Sequence, residues 1–266
     1  MTKEIKNYKI DMKKRALNGY TPWISNNILM AIPSVTDKSE FILSLDIEDI
    51  LQTEDAYIED VVKMLNELKD IGGYIILWSS KGKFDLESNK RVLDMFSIFY
   101  NEMEISKLPS DFYMSSKIIK YDINEGWNSI VNNIPDDANI ISIDFDGTIV
   151  EDSFPEIGNL MPGAKNSLFR LKEDGKKIYI WSSRMSLNKT AIAREMNVVQ
   201  KVRDYLNKNK ISYDKILDTQ TEESDLFIDD KGLAFDSRKG WDGALRDIRN
   251  MVEKPEFESV IKKLKL

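Results

Sequence analysis

Five consecutive residues, Asp144-Phe145-Asp146-Gly147-Thr148, carry the clearest chemistry in this chain. They directly follow the apolar run Ile140-Ile141-Ser142-Ile143, so two carboxylates two positions apart close a strand. Such a pair, with a glycine relaxing the backbone, can share one metal ion and one phosphate. The first carboxylate is placed to attack phosphorus in line. The second protonates the departing oxygen and then activates water. Magnesium offsets the repulsion between carboxylate and phosphate that otherwise opposes attack. Taken alone, Asp-x-Asp-Gly is also an ordinary turn, both residues being turn formers. The Ile-rich run before it and Thr148 after it favour the chemical reading.

What the chain lacks narrows the chemistry further. It has no His and no Cys. Disulfides, thiolate nucleophiles, Ser–His triads and His/Cys zinc sites are therefore excluded. Catalysis must rest on carboxylates, Lys, Arg, hydroxyls and a hard, oxygen-loving metal. A net charge of -7 argues against a general nucleic-acid or anionic-membrane binder, whose footprint would be basic. No apolar run approaches the roughly 20 residues that cross a bilayer. The polar N-terminal segment lacks an apolar signal core. The expectation is a cytoplasmic protein with no membrane partner.

The elements that must position these residues are legible from periodicity. Short apolar runs at Ile140–Phe145, Lys177–Trp181 and Leu226–Ile228 read as buried strands. A helix carrying Leu168 and Leu171 ends at Asp174-Gly175, and further helices are expected over Ala191–Lys208 and Trp241–Met251. The first half repeats the plan: a strand at Phe41–Leu45, a helix to about Asp70 and a strand at Tyr74–Trp78. A helix, a strand and a helix ending near Asn133 then follow. Strands alternating with helices imply parallel sheets with right-handed crossovers and a binding edge at the strand carboxyl ends. Asp144, Ser182 and Asp229 all fall at such ends.

The two halves also match residue for residue. Ile42–Asp46 corresponds to Ile140–Asp144. Leu65, Leu68, Gly72, Trp78, Ser79 and Ser80 correspond to Leu168, Leu171, Gly175, Trp181, Ser182 and Ser183 at one constant offset. Lys117, Asp122, Gly126, Trp127 and Ile134 correspond to Lys231, Asp236, Gly240, Trp241 and Ile248 at another. Shared strand and helix spacing explains the leucines, but not both Trp-Ser-Ser and both Gly-Trp. The expected organisation is an arm (residues 1–36), a first domain (37–135) and a second (136–266). These would be two tandem Rossmann-like α/β units of three layers with parallel sheets, paired within one chain. A short amphipathic helix is expected over Pro255–Leu266.

From about Asn139 to Arg249 the chain resembles the haloacid dehalogenase superfamily of phosphatases. The resemblance implies that Asp144 forms an aspartyl-phosphate and that Asp146 is the general acid/base, its backbone carbonyl also on the metal. It implies phosphate binding by Ser182, which closes Ile178-Tyr179-Ile180-Trp181-Ser182, with Thr148 and Arg184 nearby. It implies a magnesium site of Asp144, Asp146, Asp229 and Asp230, the last two closing Leu226-Phe227-Ile228-Asp229-Asp230. Adjacent carboxylates ending a buried strand are costly without a cation. The pattern departs at one point. Relatives place a Lys before the acidic strand, whereas Thr219–Ser224 contains none. Lys215 upstream and Lys231 downstream are the substitutes, and Lys215 is the candidate phosphate ligand. The spacing between motifs leaves no room for a large cap domain.

In the first half Asp46 persists, but Glu48, Asp49 and Ile50 stand for Asp146, Gly147 and Thr148. Ser115-Ser116 replaces Asp229-Asp230, and Lys81 stands for Arg184. Glu48 is expected to miss a site built for Asp, and the first half to keep a structural, gating or partner-binding role. The resulting expectation is a magnesium-dependent phosphomonoester hydrolase acting on an unidentified phosphorylated substrate. The alternative is a non-catalytic scaffold or regulatory protein of the same fold.

Overall fold

Apolar runs of four to six residues alternating with amphipathic helices give an α/β protein. The computed structural model describes residues 41–54, 57–81, 86–104, 107–153, 156–186, 197–217 and 222–252. The arm, the helix expected over 255–266 and residues 219–221 lie outside the described residues.

The strands are β1 (Phe41–Asp46), β2 (Gly73–Trp78), β3 (Glu102–Met103), β4 (Phe112–Ser115), β5 (Ile118–Lys120), β6 (Ile140–Ile143), β7 (Lys177–Trp181), β8 (Lys215–Leu217), β9 (Leu226–Asp229) and β10 (Gly232–Ala234). The helices are α1 (Ile47–Leu51), α2 (Ile58–Asp70), α3 (Leu86–Met95), α4 (Gly126–Asn133), α5 (Ala164–Glu173), α6 (Ser183–Ser186), α7 (Val198–Lys208) and α8 (Gly240–Val252). The helix expected over Ala191–Lys208 begins at Val198, where Asn197, in the left-handed region with φ 52°, precedes it; 191–196 lie outside the described residues. The strands form two five-stranded sheets, ordered β10-β4-β1-β2-β3 and β5-β9-β6-β7-β8. Every strand pairing in them is parallel.

Strand parity sorts the cores. Phe41, Leu43, Leu45, Ile75 and Leu77 face α2, whose Val61, Met64, Leu65 and Leu68 form one buried stripe. Ile141, Ile143, Ile178 and Ile180 likewise face α5 and α7. The opposite faces of the two sheets meet through Trp78, Tyr113, Ile118, Trp181, Leu217 and Phe227. Ring centroids lie 5.2 Å apart for Trp78–Trp181 and 4.8 Å apart for Trp181–Phe227. Among the described residues, then, the third layer of each unit is the other sheet rather than more helices. Large aromatic residues on the inner faces give a sheet-to-sheet contact the area it needs.

The halves do not close their own sheets. β5 follows β4 after Ser116 and Lys117, yet it pairs with β9 in the second sheet. β10 follows β9 after Asp230 and Lys231, yet it pairs with β4 in the first. The exchange is reciprocal in its hydrogen bonds. Tyr113 N donates to Lys231 O at 3.0 Å, and Phe227 N donates to Lys117 O at 2.7 Å. Tyr121 N donates to Asp229 O at 2.9 Å, and Phe235 N donates to Ser115 O at 3.0 Å. The helices follow their strands. Trp127 and Ile130 of α4 enter the second core, while Trp241, Leu245 and Ile248 of α8 enter the first. Chain segments near Ile134–Asp137 thus separate two sequence units but not two cores.

The two tryptophans also brace the opposite half through their indole N–H groups. Trp127 Nε1 donates to Thr148 O at 3.1 Å, and Trp241 Nε1 donates to Thr53 Oγ1 at 3.1 Å. No described helix is long and apolar enough to cross a membrane. Replacing Trp241 by Ala removes a buried aromatic, expected to cost about 3–5 kcal/mol. Hydrogen exchange should then quicken mainly in β1 and β2, in the other half of the sequence. Loss of protection confined to β6 and β7 would contradict the exchange.

Candidate active site

The carboxyl end of β6 delivers Asp144 to the second sheet's edge, where Asp144 N donates to Ile228 O at 2.8 Å. The chain then turns sharply: Ile149 N and Val150 N both donate to Phe145 O at 3.0 Å. Gly147 has φ 89° at this turn, and a Cβ there would stand 2.5 Å from Asp230 Oδ2. Glycine is therefore required twice, for the backbone angle and for the approach of Asp230. Thr148 is fully buried, and its hydroxyl accepts from Asp230 N at 3.0 Å. That bond ties the end of β9 to the turn after β6.

Carboxylate oxygens of Asp144, Asp229 and Asp230 lie within 4.8 Å of one another. Three such oxygens converging on one point suit a hard cation of the magnesium type, with water completing its shell. Asp146 stands apart from this trio. Its Oδ2 accepts from Arg184 Nε at 2.6 Å and from Ser182 Oγ at 3.3 Å. A second Arg184 nitrogen bonds its Oδ1, and the same Nη2 donates to Glu156 O at 3.0 Å. Arg184, expected at the phosphate, is only 2 % exposed and instead fixes the Asp146 carboxylate. Ser182 joins it there. Lys215, also expected at the phosphate, sits at the start of β8, pairs with Glu222 and stays away from the acids. Lys231 is half-buried beyond Asp230, and its N–H donates to Asp229 Oδ1 at 2.8 Å.

A lysine from the first half reaches the acids of the second. Lys107 Nζ lies 2.5 Å from both Asp144 Oδ1 and Asp229 Oδ2, with its side chain 3 % exposed. Its ammonium also rests 4.2 Å from the ring centre of Trp181 and 4.5 Å from that of Tyr113. Tyr113 anchors the segment, donating to Leu108 O at 2.5 Å and accepting from Ser110 N at 3.1 Å. Sequence reasoning missed Lys107 because it searched only the second half. Lys107-Leu108-Pro109 precedes β4 as a lysine was expected to precede β9, and that was the available signal.

Burial sets the proton affinities. It raises the Asp144 carboxyl well above the usual range, Lys107 opposing the rise while Asp229 and Asp230 reinforce it. Burial likewise raises Asp146 against the pull of Arg184, and pushes Asp230 up to about 7 against that of Lys231. Burial alone would lower the Lys107 ammonium, but Asp144 and Asp229 outweigh it and hold the group charged.

At the equivalent edge of the first sheet hydrogen bonds satisfy the acids. Asp46 accepts from Ser115 Oγ at 2.9 Å, Glu48 N at 3.1 Å and Ser80 N at 3.2 Å. Glu48 does not miss its partners: it accepts from Ser79 Oγ at 3.1 Å and pairs with Lys81 Nζ at 2.7 Å. This mirrors Asp146 on Ser182 and Arg184. Asp49 Oδ2 accepts from Ser116 N at 2.8 Å, where the second half has Gly147 beside Asp230.

The chain matches no protein-family model, and neither curated proteins nor solved structures yield a match to it.

Burial, then Asp46, raise Asp49 from its ordinary 3.8 to about 6. A carboxyl raised in the fold stabilises fully below its unfolded value, and that contribution is lost as pH climbs through 6. Asp49→Asn keeps an acceptor for Ser116 N. It is expected to gain on the order of 2 kcal/mol at pH 8, shrinking toward pH 4. Urea unfolding at the two pH values measures this; an equal change at both would contradict the assignment.

Proposed function

We propose that the chain is a magnesium-dependent phosphomonoester hydrolase of the haloacid dehalogenase-like type. In this reading it is a capless member built by tandem duplication, with the second half's acids as the catalytic set. The observation that carries the reading is the convergence of Asp144, Asp229 and Asp230 at one strand edge beside a separately held Asp146. Three acids at one buried point are costly unless a cation is shared among them.

Each residue then has a defined task. Asp144 Oδ attacks the phosphorus, and the bond from phosphorus to the departing oxygen breaks. Asp146, whose raised proton affinity suits an acid, delivers the proton to that oxygen. Asp146 next takes a proton from water, whose oxygen attacks phosphorus, releases phosphate and restores Asp144. Arg184 and Ser182 hold Asp146 in line for both transfers. Asp229 and Asp230 would hold magnesium together with Asp144. Bound there, the ion supplies charge neutralisation between carboxylate and phosphate and favours the ionised nucleophile. Lys107 adds a fixed positive charge beside Asp144.

One observation favours a second reading, a non-catalytic scaffold: Lys107 already satisfies two of the three acids. Hydrolysis of an aryl phosphate separates the two. The proposed enzyme requires magnesium; Asp144→Asn abolishes turnover, and Asp146→Asn lowers it about 10²–10⁴-fold. Asp46→Asn, in the hydrogen-bonded first half, leaves the rate within about threefold of the parent, on the scale of changes away from a reacting centre. No magnesium-dependent turnover across a panel of phosphate esters would leave the scaffold.

A further inference from the structure

The Lys107 ammonium binds two of the three acids that would hold a metal ion. It contacts Asp144 Oδ1 and Asp229 Oδ2, each at 2.5 Å, and both residues belong to the three-carboxylate cluster. An ion held by the same two residues would meet that ammonium at close range, where like charges in a dry interior repel strongly.

We propose that Lys107 is a resident internal cation that a divalent ion must displace from between Asp144 and Asp229. Arrival of the metal and departure of the ammonium are then one event. The inference rests on reading the three acids as a cation site. The displaced side chain stays tethered at its base. Its anchor, Leu108, is fixed by the Tyr113 hydroxyl, and the faces of Trp181 and Tyr113 already hold the ammonium. A swing about that anchor keeps the charge beside Asp144, where a phosphate would receive it. The first half therefore supplies a gate on the second half's metal site, and the same group serves the phosphate once the gate has opened.

This arrangement gives two expectations of opposite sign for Lys107→Met in the full chain. Calorimetric titration with magnesium should show binding at least about tenfold tighter than in the parent, because the competing charge is gone. Aryl-phosphate turnover should nevertheless fall. Lys107→Arg, which keeps the charge, should bind magnesium as weakly as the parent. In the parent itself magnesium should change tryptophan fluorescence as the ammonium shifts against Trp181, a reading that needs no variant to fold. Equal or weaker magnesium binding by Lys107→Met, or saturating magnesium with no fluorescence change in the parent, overturns the gate and leaves the cation site standing. No magnesium uptake by either protein, both folded by circular dichroism, removes the cation site and the gate with it.

Discussion

The crossing of the chain after β4 and again after β9 is the constraint on which the rest of the molecule depends. Asp229 is the last residue of β9, and only Asp230 and Lys231 separate it from β10 in the other sheet. Two of the acids that define the site therefore sit at the crossing itself, between β9, which pairs with β5, and β10, which pairs with β4. The exchanged helices add the apolar closure. Full burial of side chains such as Ile130, Leu245 and Ile248 contributes roughly 1.5–3 kcal/mol each, an upper range when the unfolded chain is compact. Neither half buries its own strands without the other's helix, so the geometry of the acids is a property of both halves at once.

Electrostatics divides the two similar edges into complementary states. The first half has Ser115 and Ser116 where the second has Asp229 and Asp230, and hydroxyl and amide N–H groups satisfy Asp46 and Asp49. The second half keeps its acids and must neutralise them, with Lys107 reaching across from the first. A buried acid cluster left without a cation is strongly unfavourable, whereas a hydrogen-bonded one is not. The half with serines at that strand end is the half that supplies the lysine. Trp127 and its bond to Thr148 O extend the same dependence to the turn that carries Asp146.

Much of the fold was legible because the long buried strands are apolar and the amphipathic helices keep a clear period. β1, β2, β6, β7 and β9 fall within a residue or two of their expected bounds. The short strands β3, β5, β8 and β10 were not, since two or three residues at a sheet edge carry no readable alternation. The matching Gly-Trp blocks revealed that α4 and α8 are alike. They said nothing about which core each helix enters, because an apolar stripe fits either. Among the candidate residues, Asp144, Asp229 and Asp230 come together through strand-end placement, which sequence does encode. Arg184 and Lys107 depend on side-chain reach across elements, and one of them on reach across halves. Spacing along the chain can place a lysine before β4 but reports neither contact.

A crystal structure of the full chain grown with magnesium and a tetrahedral or trigonal phosphate mimic is the most direct test. One ion is expected among Asp144, Asp229 and Asp230, with the mimic in line with Asp144 and Lys107 from the first half beside the mimic. An ion bound elsewhere, or a site in which Lys107 has no part, would contradict a centre assembled from both halves.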